Sequence, residues 1–181
     1  MRLYIGIDLP PHIKRALFKF QLRLKKLGVK GAWKASESFH ITLEFLGKIP
    51  PESIPSIVQL LETVVRDKKM FKLHIDNPGA FPSFHRCHSL WAGVGGHTEE
   101  LDQIRSELHE ALASNGFMLQ RAPFIPHITL LTNPKTPMPD QVSFSLRKAG
   151  TFRVSEFVLF ESKSEKGKRL YIYLYRAGLK R

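Results

Sequence analysis

The tetrapeptide His-Ile-Thr-Leu occurs twice, as His40-Ile41-Thr42-Leu43 and as His127-Ile128-Thr129-Leu130. The surrounding stretches, "SFHITLEFLG" and "FIPHITLLTN", are rich in β-branched and aromatic residues and are bounded by glycine, proline or asparagine. Both therefore read as strands, over residues 38–46 and 125–131. Side chains alternate between the faces of a strand. Each copy thus sets an imidazole and a hydroxyl on one face and two branched apolar side chains on the other. If the two strands lie side by side near the centre of the fold, two His-Thr pairs face one cleft.

The rest of the chain supplies a frame for these strands. Residues 2–9 read as a first strand. Pro10-Pro11 then opens a helix whose apolar stripe is Ile13, Leu17, Phe20, Leu24 and Leu27, with Gly28 as its stop. Ile54, Ile57, Val58, Leu61 and Val65 mark a second helix, and Leu101, Ile104, Leu108, Ala111 and Leu112 a third, over residues 98–115. Further strands are expected at 71–76, 89–94, 151–161 and 169–175, the last two joined as a hairpin through the polar turn "SKSEKGK". The stretches "DNPGAFPSFHRC" and "TNPKTPMPDQ" read as turn and loop. Short polar connections between strands favour antiparallel pairing and an α+β fold. The length of 181 residues suits one domain spanning residues 1–181.

Two histidines facing each other suit acid-base chemistry at a phosphate. Imidazole titrates near neutral pH, so one ring can accept a proton while the other donates one. In-line displacement at phosphorus needs a base for the entering oxygen and an acid for the departing one. The hydroxyls of Thr42 and Thr129 can hydrogen-bond the non-bridging oxygens. No metal or other cofactor is required. The remaining histidines (His12, His74, His85, His88, His97 and His109) lie in no comparable pattern and read as ordinary structural or surface residues.

Composition narrows the partners. Lys and Arg number 28 against 16 Asp and Glu, a net charge of +12, which attracts polyanions and nucleic acid first of all. The cations are scattered, so a charged face on a folded domain fits better than a basic tail. Cys87 is the only cysteine. It excludes an internal disulfide, agrees with a cytoplasmic location, and reads as an ordinary half-buried thiol. No apolar run is long enough to span a bilayer, and the first residues read as a strand, not a signal peptide. The chain lacks a GxxxxGK[ST] loop and a KxDG pattern, which speaks against ATP-driven joining. The two motif histidines lie one per strand, with no second histidine or carboxylate two to four residues away in a ligand-like arrangement, which speaks against a zinc enzyme.

At these motifs the chain resembles the two-histidine phosphoesterase superfamily, defined by paired HxTx motifs. It is similar in particular to the bacterial and archaeal RNA 2′,3′-cyclic phosphodiesterases, also called 2′-5′ RNA ligase-like proteins. "MRLYIGIDLP", "FHITLEFLG", "FPSFHRCHSLWAGV", "PFIPHITL" and "VSEFVLFESKSEKGKRLYIYLYR" carry the likeness in order and spacing. The resemblance implies a bilobal fold of two pseudo-symmetric lobes with the motifs meeting in the cleft between them. It implies hydrolysis of RNA ends or small nucleotides bearing a 2′,3′-cyclic phosphate to 2′-phosphomonoesters. A monomer is the default expectation, since nothing in the sequence points to an oligomer. His40 would be the proton donor to the leaving 3′ oxygen, His127 the acceptor that activates water, and Thr42 and Thr129 the phosphate ligands. RNA joining by the reverse reaction and non-catalytic RNA binding are the competing readings. Many relatives place an arginine after the second motif, where this chain has Thr132; Arg86, Lys135 or Arg121 could supply a cation instead. Trp33, Phe39, Phe84 and Phe124 are candidates for stacking on a base, each with core packing as the alternative. Trp91 is expected in the core.

Overall fold

Five successive buried residues, Leu3 to Ile7, make the first strand unusual: both of its faces are covered. That requires a central place in a sheet, and the computed structural model gives it one. The structure describes residues 1–120, 122–138, 146, 149–165 and 168–181. Strand β1 (Arg2–Asp8) lies between β3 (His40–Lys48) and β8 (Glu156–Glu165), and β9 (Lys168–Gly178) completes the order β3-β1-β8-β9. A second sheet has the order β2-β6-β5-β4-β7, built from β2 (Ala32–Trp33), β4 (Phe71–Phe81), β5 (Ser89–Gly96), β6 (His127–Thr132) and β7 (Thr151–Val154). The ladder pairings within both sheets are antiparallel.

Helices α1 (Pro11–Lys26), α2 (Ile54–Val65) and α3 (Thr98–Ser114) follow the stripes expected of them, except that Leu27 lies beyond the end of α1 and is exposed. Ile13, Leu17 and Leu24 of α1, Ile57 and Leu61 of α2, and Leu101, Leu108 and Leu112 of α3 are all fully buried. They join the inner residues of both sheets in one hydrophobic cluster. Burying a Leu or Ile side chain contributes about 1.5–3 kcal/mol. Packing of these faces, not helix propensity, therefore holds the layers together.

Gly6 explains how closely the first motif is held. A Cβ there would lie 2.4 Å from the carbonyl oxygen of Ile41. Only glycine lets β1 approach β3 at this point of the ladder, where Gly6 pairs with Thr42 and Asp8 with His40. A register shift between Ile5 and Gly6 then turns the strand beyond the motif.

Two expectations need correction, and one strand had none. Residues 151–161 are not one strand. Val154 pairs with Phe71 in one sheet, and Glu156 pairs with Gly178 in the other, so the chain changes sheet at Ser155. The cause is visible in burial: Thr151–Val154 alternates as an edge strand does, whereas Phe157 to Phe160 is covered on both faces. Residues 77–81 are not a turn. They continue β4, and the register shift between Asp76 and Pro78 absorbs the proline, which has no N–H to give the ladder. The short β2 had no periodic signal, and it pairs Ala32 with Thr132 and Trp33 with Leu131. The β8–β9 hairpin forms as expected, although residues 166–167 of its turn and 139–141 of the "TNPKTPMPDQ" loop lie outside the described residues.

Candidate active site

The two motifs bury their side chains in the same rhythm. His40 and Thr42 are half-buried while Ile41 and Leu43 are inside, and His127 and Thr129 are half-buried while Ile128 and Leu130 are inside. The strands are not neighbours in one sheet: β3 is the edge of the first sheet and β6 lies within the second. They meet across the space between the sheets. His40, Thr42, His127 and Thr129 line a single cavity of about 480 Å³.

Each imidazole is fixed in the same way. Nδ1 of His40 lies 2.6 Å from the carbonyl oxygen of Ser38, and Nδ1 of His127 lies 2.7 Å from that of Ile125. A carbonyl can only accept, so in both rings Nδ1 carries the proton and donates it. Nε2 is then the nitrogen left with a lone pair in each neutral ring. Both donations reach two residues back along the chain.

Aromatic walls surround both rings, and each set comes from the ring's own sheet. The ring centroids of Tyr4, Tyr171 and Phe160 lie 4.7, 5.2 and 5.9 Å from that of His40. Phe81 meets His127 edge-on at 5.1 Å, and Trp91 lies at 5.8 Å. Burial among these rings disfavours the charged imidazolium. It lowers the His40 pKa to about 4, with the bond to Ser38 and the charge of Asp8 opposing the shift. His127 is also lowered by burial, against its bond to Ile125. Asp8, the ladder partner of His40, is itself engaged: it pairs with Lys14 at 2.7 Å and accepts from the Tyr173 hydroxyl at 2.8 Å.

The cations that line the cavity are Arg2, Lys34 and Arg169. Burial and the neighbouring Arg169 lower the pKa of Lys34. Lys34 is set in place through its main chain: its N–H donates to the Leu130 carbonyl at 3.0 Å, beside the second motif. Gln21 of α1, 1% exposed, donates from Nε2 to the carbonyls of both Lys34 and Leu130 at 2.9 Å. No motif or periodicity in the sequence marks Gln21. It is a buried clamp on the strand that carries His127.

Several candidates fall elsewhere. Arg86 lines a separate surface pocket near Cys87, Lys135 does not border the cavity, and Arg121 lies outside the described residues. Phe39 is core, at 1% exposure. Phe84 is exposed beside Arg86, and Phe124 lies under the Arg105 guanidinium. Trp33 borders a neighbouring groove. Trp91, expected in the core, instead walls His127 with its edge against Gly79. Glu44 turns away from the cavity, is 4% exposed, and binds His109 at 2.7 Å and Arg105 at 3.4 Å on α3. Among the described residues no group of three or more His, Cys, Asp or Glu converges as metal ligands would.

The fold and the sequence have counterparts among known proteins. A sequence model of the 2′-5′ RNA ligase superfamily matches residues 10–166. The RNA 2′,3′-cyclic phosphodiesterase of Geobacillus stearothermophilus is 32% identical over 168 residues, covering 90% of this chain and 52% of that protein. This chain thus spans about half the length of that relative. The protein of the same name from Methanocaldococcus jannaschii is 32% identical over 130 residues, covering 72% of this chain and 70% of its own. Among solved structures, Escherichia coli LigT complexed with 3′-AMP superposes with a TM-score of 0.82 at 27% identity, covering 99% of this chain and 98% of that one.

Proposed function

The chain belongs to the 2′-5′ RNA ligase superfamily, and from that premise we propose that it hydrolyses 2′,3′-cyclic phosphates at RNA ends or on small nucleotides. The observation that carries this reading is the matched pair of rings. Two imidazoles, each tethered at Nδ1, line one cavity with their hydroxyl partners and leave two Nε2 atoms for chemistry.

The steps follow from those two atoms. His127 is neutral before substrate binds, so its Nε2 accepts a proton from water as the water oxygen attacks phosphorus. The bond from phosphorus to the 3′ oxygen breaks, and His40 donates the proton that this oxygen takes up. The product is a 2′-phosphomonoester with a free 3′ hydroxyl. His40 must hold a proton at that moment although burial lowers its pKa. The anionic cyclic phosphate supplies the compensating charge, and in a desolvated cleft that attraction is far stronger than in water. Thr42 and Thr129 hydrogen-bond the non-bridging oxygens, and Arg2, Lys34 and Arg169 add positive charge around the same cavity. Acid-base assistance of this kind contributes roughly 10²–10⁴-fold in rate. Residues 1–181 would act as one bilobal unit, as a monomer in the cytoplasm. No helix among the described residues is long and apolar enough to cross a membrane.

Joining is the same displacement with a 5′ hydroxyl in place of water: it attacks phosphorus, the bond to the 3′ oxygen breaks and a 2′-5′ phosphodiester forms, while the abundance of water favours hydrolysis. Incubation of the protein with a 2′,3′-cyclic-phosphate oligonucleotide and EDTA tests the reading. It should yield the 2′-phosphate. A 3′-phosphate product would reverse the assigned geometry, and turnover that stops on chelation would defeat metal-independent chemistry.

A further inference from the structure

The cavity opens beside His40 into a second groove of about 1360 Å³. Tyr4, Lys34, Ser38, His40, Arg169 and Tyr171 border both, so the two are continuous. One wall of the groove comes from α1. That helix carries a second stripe beside its core face: Arg15, Phe18, Leu22 and Lys25, spaced three, four and three. Phe18 and Leu22 each remain 40% exposed, so the core does not use them. Arg15 and Phe18 line the groove with Trp33, and the Lys25 ammonium sits 5.2 Å from the Trp33 ring. The other wall is β9, with Arg169 and the exposed ring of Tyr173.

Charge in the groove is unbalanced. Its carboxylates are Asp8, already paired with Lys14, and Glu37, which is exposed. Arg15, Lys34 and Arg169 have no ion-pair partner among the described residues. Lys25 already sits over the rings of Trp33 and Phe18, and Arg176 over that of Tyr173; cations interleaved with partly exposed rings suit a single-stranded nucleic acid, whose phosphates meet the former and whose bases stack on the latter. An acidic peptide would satisfy the cations and leave the rings without partners.

We propose that this groove holds the single-stranded RNA on the 5′ side of the cyclic end. The protein would then act on oligonucleotide ends in preference to cyclic mononucleotides. The inference rests on the catalytic reading above, which sets where the 3′ end lies. From there the chain runs past Lys34 and Arg169 onto Trp33, Phe18 and Arg15.

The test compares kcat/KM for a 2′,3′-cyclic mononucleotide with that for a short cyclic-ended oligoribonucleotide of the same terminal base. The variants are R15A/F18A and, on the same helix outside the groove, K26A. The double variant should lose roughly tenfold or more on the oligonucleotide, through KM, and stay within about twofold of wild type on the mononucleotide. It should also flatten the salt dependence of the oligonucleotide KM. Equal loss on both substrates, loss on neither, or the same loss from K26A would overturn the groove assignment. If the wild-type protein turned over neither substrate, the catalytic reading alone would fall. Fluorescence anisotropy with a fluorescein-labelled oligoribonucleotide ending in a 2′-phosphate then decides the groove: binding weakened about tenfold by R15A/F18A upholds it, and unchanged binding overturns it.

Discussion

The ring of Tyr4 lies 4.7 Å from that of His40, tilted by 31°, and its buried hydroxyl has no hydrogen-bond partner among the described residues. The ring desolvates the histidine, whereas the hydroxyl adds only a polar group removed from water. A buried, unsatisfied hydroxyl costs about 1–3 kcal/mol. Tyr4→Phe should therefore raise the unfolding free energy by about 1 kcal/mol in urea denaturation and keep most of the activity. Tyr4→Ala removes the ring and should destabilise by about 3–5 kcal/mol. A lower stability for Tyr4→Phe would mean that the hydroxyl has a partner in solution.

In the proposed reaction His40 and His127 serve one displacement, so their losses should not add. H40A and H127A should each lower kcat by roughly 10²–10⁴-fold. The double variant should be little worse than the weaker single one, because removal of either partner already disables the concerted path. Steady-state kinetics on a 2′,3′-cyclic nucleotide checks this. Multiplying losses would show that the two rings work in separate steps.

Stability should fall in acid. The folded His40 takes up its proton at about 4, against 6.5 for an ordinary histidine. Above pH 6.5 its neutral form is shared by folded and unfolded chains, and its stabilising contribution is fully present. Between 6.5 and 4 the unfolded chain binds the proton and the folded one does not, so stability is lost as pH falls. The loss from this residue is on the order of 3 kcal/mol, and His127, shifted in the same direction, adds to it. Urea unfolding at intervals across this window should show the slope in wild type and a shallower one in His40→Gln. The same slope in both would remove His40 as its source.

Gly79 controls the wall of the other histidine. A Cβ at this position would lie 2.1 Å from the Trp91 ring, which sits 5.8 Å from His127. Gly79→Ala must push the indole out of place. It should cost about 1–3 kcal/mol in stability and lower kcat several-fold, with KM for a cyclic mononucleotide changing less. Tryptophan fluorescence of the folded variant reports the displaced ring directly. An unshifted spectrum with normal kcat would mean the backbone yields instead.

What could be read in the chain was what repeats locally. The alternation in His40-Ile41-Thr42-Leu43 and its twin gives the shared face without any tertiary knowledge, and the helical stripes around Leu17, Leu61 and Leu108 are equally local. What surrounds the histidines was hidden because it is brought from far along the chain. Tyr4, Phe160 and Tyr171 become neighbours of His40 only through the order β3-β1-β8-β9. Lys34 and Arg169 reach one cavity from different elements, whereas Arg86 and Lys135, two of the three cations left open by the sequence, do not border it. The crossing at Ser155 has no glycine or proline to mark it. Trp91 looked like core because its strand is apolar, yet its ring is turned towards His127.

The crossing at Ser155 also orders events in time. A ribosome releases the chain from its first residue onward, and β3 emerges with His40 while two of its walls, Phe160 and Tyr171, are still unsynthesised. No nascent fragment that stops before β8 owns a complete first sheet. His127 differs, because Phe81 and Trp91 precede it. Two ring neighbours of His127 are thus in place before it, but the cavity that it shares with His40 is closed for both only when β9 brings Arg169 and Tyr171.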